Sequence, residues 1–132
     1  MIIERPALLG RRSSTGVVPI VTASTLTLLY QIPAGRTIEV KKIAITNRYT
    51  AATEVTLQQS ASATGSSPSQ VGTVQYVATV TSIEIREADI PKEPQGITGY
   101  LFAEASATGA APTEVQIEIE FEEYPAGGIP SN

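Results

Sequence analysis

The sequence contains no cysteine, no histidine and no tryptophan. Without cysteine the chain has no disulfides, thiolate nucleophiles or cysteine ligands for zinc, and without histidine a Ser-His-Asp triad is excluded. No side chain has an unperturbed pKa near neutrality, so general acid–base catalysis would require a strongly shifted Glu, Lys or Tyr. The sequence therefore predicts a protein that is not an enzyme and that uses no cofactor or metal.

Charged residues make up only 17% of the chain and aromatic residues 5%, whereas 42% of it is hydrophobic. The length of 132 residues fits one domain, and a domain of this size buries roughly two-thirds of its unfolded surface. No stretch approaches the roughly 20 apolar residues that cross a bilayer, and the first residues lack the features of a signal peptide. We expect one domain made in the cytoplasm, without a membrane partner.

The clearest structural pattern is strict alternation in residues 113–124, TEVQIEIEFEEY. Apolar and polar side chains that alternate with a period of two are typical of a β-strand with one buried face. We predict that this strand faces the core with Val115, Ile117, Ile119 and Phe121.

Similar but weaker patterns recur from Val17 onward, separated by turns rich in Gly, Pro, Ser and Thr. The predicted strands span residues 17–23, 25–32, 36–46, 54–60, 71–80, 82–86, 97–105 and 113–124. Short strands without an amphipathic helix predict an all-β protein, an antiparallel β-sandwich and more specifically an eight-stranded jelly roll. The sandwich is expected at residues 17–124, between an N-terminal arm (1–16) and a C-terminal tail (125–132).

Several details of these strands are predictable. Pro19 restricts the first strand to an edge, and Pro33-Ala34-Gly35 predicts a turn. The apolar residues of the next strand occupy even positions before Lys41-Lys42 and odd positions after them. This change predicts a β-bulge at the two lysines that keeps the apolar residues on both sides in the core. One-sided faces are expected in two further strands, formed by Leu26, Leu28, Tyr30 and Ile32 and by Val74, Tyr76, Ala78 and Val80. Residues 97–105 are apolar on both faces, which indicates either a central strand or a strand covered by an arm.

The charges are unevenly distributed along the chain. Most basic residues precede Tyr49, whereas most acidic residues follow it, although the net charge is only -4. This division favours head-to-tail association with copies of the chain, while the alternative is that the two sets are solvated or pair within the fold. The glutamates of 114–122 suggest a metal site or a glycosidase pair, or more simply a solvated or partner-facing acidic surface.

Binding of nucleic acid is not expected, because the pI of about 4.8 is acidic and the basic residues are not interleaved with aromatic ones. Carbohydrate binding remains an alternative, although the sequence lacks tryptophan and its tyrosines are scattered. The N-terminal arm is the candidate partner-binding segment, because its large apolar residues have no periodicity and its arginines suit an acidic surface. Its candidate contact residues are Ile2, Ile3, Arg5, Leu8, Leu9, Arg11 and Arg12.

Residues 26–60 resemble a pattern found in small bacteriophage virion proteins. The resemblance lies in Leu29-Tyr30-Gln31-Ile32-Pro33-Ala34-Gly35-Arg36, the following strand that ends at Asn47, and the segment Glu54-Val55-Thr56-Leu57. It implies a β-sandwich with no enzymatic role, most directly a capsid decoration or cement protein that bridges coat subunits on the capsid exterior. Its expected partners are copies of itself, as a trimer, and the major capsid protein. Neck and tail components, or a carbohydrate-binding or other ligand-binding module, are the alternatives.

Overall fold

Two antiparallel β-sheets pack face to face around an apolar core. The computed structural model describes residues 11–86 and 97–125. Within those ranges the strands are β1 (Arg11–Ser14), β2 (Val18–Ile20), β3 (Thr27–Gln31), β4 (Arg36–Asn47), β5 (Thr53–Ser60), β6 (Ser69–Val77), β7 (Thr81–Arg86), β8 (Tyr100–Ala105) and β9 (Val115–Pro125). The prediction of an all-β antiparallel sandwich is confirmed. The described ranges include no helix long and apolar enough to span a bilayer.

Each sheet combines strands that are distant in the sequence. In the first, here called the β9 sheet, β9 pairs with β4 on one side and with β1 and β2 on the other, and β7 pairs with the far side of β4. The second, the β8 sheet, has the order β3-β8-β5-β6. The β9 sheet therefore places strands from the basic first part of the chain directly beside the acidic last strand.

The core side of β9 is the one that its alternation predicts. Val115, Ile117, Ile119 and Phe121 are all at most 1% exposed. In the other sheet, β8 lies between β3 and β5, and its residues Leu101, Phe102, Ala103 and Ala105 are buried. The predictions of an inward-facing β9 and of a central strand within 97–105 are both confirmed.

The predicted bulge in β4 is also confirmed. Val40 pairs with Phe121 and Lys42 pairs with the next residue of β9, Glu120, so that Lys41 is the extra residue in β4. The bulge restores the inward direction of the strand on both sides of the two lysines. The core residues that it keeps inside are Ile38, Val40, Ile43 and Ile45.

The turn at residues 33–35 is present as predicted. The backbone N–H of Arg36 donates to the carbonyl of Pro33 at 3.0 Å, and Gly35 has a φ of 78°. A glycine is required more strictly at position 99, where φ is +81° and an added Cβ would collide with the backbone carbonyl of Ser60. These positive φ values strain any residue that carries a Cβ.

The predicted face of β3 is wrong at Leu28, but Ile32 is buried and Tyr30 packs against the core as that face implies. Leu29 and Ile32 are buried, whereas Leu28 is 43% exposed. The pairing of β3 with β8 shifts its register between Leu28 and Tyr30. This irregularity interrupts the alternation, so the residues that share a parity in the sequence do not all share a face.

The predicted face of β6 is wrong as well. Val71 and Val77 are buried, while Val74 and Tyr76 point outward and are 46% and 67% exposed. The strand ends at Val77, and the chain then turns through Val80, whose φ is 48°. The prediction continued the strand through this turn and therefore selected the wrong set of alternate residues.

The N-terminal boundary of the sandwich also differs from the prediction. Arg11–Ser14, assigned to the arm, form the edge strand β1 and pair with β9. The edge prediction for residues 17–23 is confirmed for Val18–Ile20, with Pro19 exposed. Pro125, assigned to the tail, ends β9. The rest of the predicted arm (1–10) and tail (126–132), and the connection 87–96, lie outside the described residues.

Candidate functional site

The outer face of the β9 sheet carries a network of ion pairs, here called the charged ladder. It joins basic residues of β1 and β4 to acidic residues of β4, β7 and β9, namely Arg12, Lys41, Lys42, Glu39, Glu84, Glu120 and Glu122. The glutamates of β9 point outward because they alternate with its buried residues. Part of the unevenly distributed charge is thus paired within the fold, as one of the two alternatives expected.

Lys41 is the most buried member of the charged ladder. Its side chain is 8% exposed, and its Nζ lies 2.6 Å from Glu39 Oε1 and 3.8 Å from Glu122 Oε1. The bulge places Lys41 and Lys42 on the same outward side of the strand, although consecutive residues normally point to opposite faces. Because of this bulge, two consecutive lysines both contribute cations to the charged ladder.

Lys42 and Arg12 occupy opposite sides of Glu120. The Nζ of Lys42 lies 2.8 Å from Glu120 Oε2 and 3.4 Å from Glu84 Oε2, and the hydrogen bond to Glu120 is the main cause that raises the pKa of Lys42. Arg12 is held more loosely, 3.8 Å from Glu120 and 3.6 Å from Glu122, and its side chain is 54% exposed. Exposed pairs of this kind contribute little to stability.

Near the C-terminal end of β9, a glutamate contacts a tyrosine and an arginine. The hydroxyl of Tyr30 donates to Glu123 Oε1 at 2.6 Å, and Arg36 Nε lies 3.5 Å from Glu123 Oε2. The Tyr30 ring packs on Phe121 with centroids 4.8 Å apart. Burial first, and then the hydrogen bond to Glu123, raise the pKa of Tyr30 to about 12.

Tyr124 makes a similar contact on the outer side of β9. Its hydroxyl donates to Glu122 Oε1 at 2.5 Å, and burial followed by this hydrogen bond raises its pKa to about 12. A raised phenol pKa keeps the proton on the oxygen at neutral pH, so neither Tyr30 nor Tyr124 is suited to act as a general base.

The remaining glutamates of β9 have partners of their own. Glu118 accepts a hydrogen bond from the Ser14 hydroxyl at 2.8 Å. The pKa of Glu114 is lowered, chiefly by a hydrogen bond with its own backbone N–H and then by the Gln116 amide. Across the described ranges, acidic residues form no group of three or more that could hold a metal ion. Most of the glutamate row is therefore paired within the fold, although the buried Oε1 of Glu114 has no hydrogen-bond partner among the described residues.

The outer face of the β8 sheet is different, and it carries what we call the acidic–apolar patch: Glu54, Val74, Tyr76 and Glu104. Glu54 lies directly opposite Tyr76 on β6, and Thr56 lies opposite Glu104 on β8. Val74 and both carboxylates line a shallow depression of about 260 Å³ together with Ser24, Thr56 and Ser106. Neither Glu54 nor Glu104 forms an ion pair with any residue in the described ranges.

Only one part of this outer face is left open. Next to the patch, Phe102 also points outward from β8, but it is 3% exposed. The loop after β5 covers it, with Gly65 close to both Leu26 and the Phe102 ring. The sandwich therefore covers one large apolar residue on this face and leaves Val74 and Tyr76 in water.

The structure places two of the predicted partner-binding residues. Arg11 and Arg12 lie on β1, opposite Glu123 and Glu122 respectively, and both are exposed. Arg12 belongs to the charged ladder, whereas Arg11 forms no ion pair within the described part of the chain. The other predicted contact residues, Ile2, Ile3, Arg5, Leu8 and Leu9, lie outside the described residues.

The sequence interpretation grouped Val74 and Tyr76 on one apolar face and did not identify that face as an exposed patch. A signal was available in the odd-numbered alternatives Val71 and Val77, the first of which is followed by Gly72. That glycine has a φ of 72° and lies where the pairing of β6 with β5 shifts its register. A glycine inside a strand pattern is typical of a bulge, which makes the simple parity count unreliable.

The residues that resemble phage virion proteins have structural roles in this fold. Ile32 is buried before the turn at 33–35, and Val55 and Leu57 belong to the core. Asn47 is 1% exposed, and its amide donates to the carbonyls of Ala51, Val77 and Ala78 at 2.8, 3.3 and 3.2 Å. The resemblance therefore rests mainly on residues that shape the sandwich, although it also includes Glu54 of the acidic–apolar patch.

The sequence matches no protein-family model, and no significant match was found among curated proteins. Among solved structures, the chain is similar to one from Bacillus endospore appendages, which are described as a family of disulfide-linked pili. The alignment has 12% identity and a TM-score of 0.48, and it covers 96% of this chain and 98% of the other. At this level the likeness is one of general shape, and the present chain contains no cysteine.

Proposed function

We propose that this chain is a non-enzymatic structural protein that works by associating with copies of itself within a larger assembly. The observation that carries the proposal is the acidic–apolar patch, where Tyr76 is 67% and Val74 46% exposed beside two carboxylates that have no ion pair within the described residues. Exposed apolar groups bordered by polar ones are typical of interaction sites. Tyrosine is also enriched among the residues that dominate binding energy.

The chemistry of the charged ladder supports a structural role over a catalytic one. The glutamates that suggested a metal site or a glycosidase pair contact lysine, arginine, serine or tyrosine side chains. A general acid or base needs a group whose proton can be transferred near the working pH. The glutamates of the ladder are engaged with lysine and arginine side chains.

In finer terms we infer a virion component, with capsid decoration as the leading assignment. The strand order supports the jelly-roll interpretation, because β1 and β2 count as one interrupted strand. The sheets then contain the first, eighth, third and sixth strands, and the second, seventh, fourth and fifth. The resemblance of residues 26–60 to small phage virion proteins points in the same direction. The expected assembly is a homotrimer, and the expected second partner is the major capsid protein on the capsid exterior.

Sedimentation velocity at micromolar concentrations tests self-association directly. The expected result is a species heavier than the 13.9 kDa monomer, with a trimer as the leading expectation. A single monomeric species over the whole concentration range contradicts the proposal that the chain assembles with itself.

Immunogold electron microscopy of virus particles from the source culture tests the finer assignment. Antibody against the chain is expected to label the head of the particle. Label on the neck or tail supports the alternative virion component, and unlabelled particles contradict a virion role.

The N-terminal arm remains a second proposed attachment segment, through Ile2, Ile3, Arg5, Leu8 and Leu9. The structure refines its test, because β1 begins at Arg11 and pairs with β9. Deleting residues 1–10 is expected to leave unfolding unchanged and to weaken attachment to the particle. The comparison variant lacks residues 1–14 and so also loses β1. Undiminished binding after the shorter deletion contradicts a role for the arm.

Carbohydrate binding is the second candidate function, and the depression of the acidic–apolar patch favours it. Two carboxylates and the hydroxyls of Ser24, Thr56 and Ser106 surround that depression, and Tyr76 offers an exposed ring beside Glu54 for stacking on a sugar. A glycan array distinguishes the two functions. Binding that is lost in Tyr76→Ala supports this alternative, and an array without binding contradicts it.

A further inference from the structure

A surface complementary to the acidic–apolar patch exists elsewhere on the same chain. The edge formed by β1 and the segment around β2 carries the exposed residues Arg11, Arg12, Val17, Pro19 and Val21, and we call it the basic edge. Val17 and Val21 are 61% and 52% exposed. The basic edge thus combines cations with exposed apolar groups, whereas the patch combines anions with exposed apolar groups.

The arginines of the basic edge lie far from the patch in the same molecule. Arg11 pairs with Glu123 at one end of β9, and Ile20 pairs with Val115 at the other end. The eight intervening steps along β9 span about 26 Å at roughly 3.3 Å per residue. The patch belongs to the Val115 end, because Ser24, which lines its depression, follows Ile20 closely and donates to the Ala105 carbonyl at 2.8 Å.

Because of this separation, the arginines of one molecule cannot reach its own patch. A second copy can bring them there, and the contact is then between two different surfaces. Such heterologous contacts generate closed rings when the rotation between neighbours closes and open chains when it does not. A three-membered ring is the arrangement that agrees with the expected trimer.

Side chains, rather than paired strands, carry this contact. Pro19 at the centre of β2 has no backbone N–H to donate, and β1 and β2 are short. Proline and short edge strands both discourage edge-to-edge pairing. Arginine, in contrast, binds carboxylates through two parallel hydrogen bonds and stacks on aromatic rings, and both groups are present in Glu54, Glu104 and Tyr76.

We propose that the acidic–apolar patch of one molecule binds the basic edge of a second copy, so that the protein assembles head to tail. Arg11 and the half-exposed Arg12, whose contacts in the charged ladder are loose, supply the cations that face Glu54 and Glu104 across this contact, and Tyr76 and Val74 are covered by apolar residues of the edge. The inference rests on the proposed self-association, because it names the surfaces that would produce it.

Charge reversal with rescue is the experiment that tests it. One variant carries Glu54→Arg and Glu104→Arg, and the other carries Arg11→Glu and Arg12→Glu. Each alone places like charges across the contact and is expected to raise the association Kd by about tenfold or more. Combining all four substitutions in one chain restores opposite charges at every contact, so this combined variant is expected to sediment like the wild type.

A matched control adds charge outside both surfaces. Gln31→Arg combined with Gln70→Arg changes exposed residues of β3 and β6 and is expected to leave association unchanged. Tyr76→Ser removes the aromatic group without changing charge and is expected to weaken association as well. Thermal unfolding of every variant separates loss of association from loss of folding.

The outcomes distinguish the inference from the proposed function. A monomeric wild type overturns both of them. An associating wild type whose two charge variants associate equally well overturns the head-to-tail contact and leaves self-association standing. A combined variant that associates as weakly as either of the two charge variants also overturns the contact, whereas restored association of the combined variant supports it.

Discussion

The two outer faces of the sandwich differ in how completely their polar and apolar groups are satisfied. On the β9 sheet, lysine and arginine side chains from β1 and β4 meet glutamates from β4, β7 and β9. On the β8 sheet, Glu54 and Glu104 lie beside exposed Val74 and Tyr76. Binding a partner contributes little free energy at a face whose charges are already paired. At a face with exposed aromatic surface, binding is favourable because it removes that surface from water.

The difference follows from which strands are neighbours. β9 is flanked on both sides by strands from the basic first part of the chain, so its glutamates find cations within the same molecule. The strands of the β8 sheet offer no such complement to Glu54 and Glu104. The two outer faces therefore differ although the chain carries little charge, and this difference is the basis on which we propose the β8 sheet as the face for intermolecular contact.

The largest expected effect concerns the core beneath the β9 sheet. Phe121→Ala should lower the free energy of unfolding by about 3–5 kcal/mol, because it removes a fully buried ring and leaves a cavity. The Tyr30 ring, 4.8 Å away, loses its packing partner. Denaturant titration measures the change.

Phe102→Ala is the matched control, because Phe102 packs under a loop on the outer face of the β8 sheet. Its effect should be smaller than that of Phe121→Ala, since a loop relaxes into the vacated space more readily than two packed sheets. An equal or larger loss of unfolding free energy in Phe102→Ala contradicts this expectation.

The second prediction separates the two lysines of the bulge. Lys41→Met should cost about 1.5–3 kcal/mol, because it removes a buried ammonium from charged hydrogen-bond partners, the nearest of them Glu39 at 2.6 Å. Lys42→Met should cost less, since Lys42 is more exposed. The effect of Lys42 should also shrink with added salt. If the two substitutions lower the free energy of unfolding equally and with the same salt dependence, the burial of Lys41 does not distinguish it from Lys42.

The third prediction concerns alkaline pH. The pKa of Tyr30 and that of Tyr124 are raised from 10.0 to about 12 in the folded state. Between these values the folded protein retains protons that the unfolded chain has released, so the free energy of unfolding falls as pH rises. The stabilisation is complete below pH 10 and is lost as pH passes through about 12.

Tyr30→Phe combined with Tyr124→Phe should make stability less dependent on pH in this range, as measured by thermal unfolding at a series of alkaline pH values. Tyr76→Phe serves as the control, because Tyr76 is exposed on the opposite sheet. An unchanged alkaline slope in the double variant is the result that would falsify this assignment.

The smallest effect is expected on the acidic–apolar patch. Tyr76→Ser should change the free energy of unfolding by no more than about 0.5 kcal/mol, as is usual for exposed positions. Denaturant titration of the monomer at low concentration provides the measurement. A clear destabilisation would show that Tyr76 supports the sandwich, and the contrast between the two outer faces would then be weaker.

The elements that were predictable from sequence are those whose signals are local. The alternation of Val115 through Phe121 allows one inward face, and Gly35 after Pro33 specifies a turn within a few residues. The bulge at Lys41 was predictable because a parity change inside an apolar strand has few other solutions. None of these features depends on which strand lies next to which.

The candidate site was less accessible to sequence reasoning. Arg11 and Arg12 were identified as contact residues by composition, but their membership of an edge strand depends on pairing with β9. Val74 and Tyr76 were grouped as the apolar face of β6, although the other set of alternate residues also contains two valines, Val71 and Val77. Only packing against β5, with its register shift, selects Val71 and Val77 for the interior.

The sequence by itself determined the all-β class, the inward face of β9 and the position of the β4 bulge, because period-two patterns and turn residues act over a few neighbouring positions. The tertiary structure decided which charges neutralise one another and which apolar residues remain exposed. Both outcomes depend on contacts between residues far apart in the chain, such as Lys42 with Glu120 or Glu54 with Tyr76. Such contacts are set by sheet order and register, which no local pattern encodes.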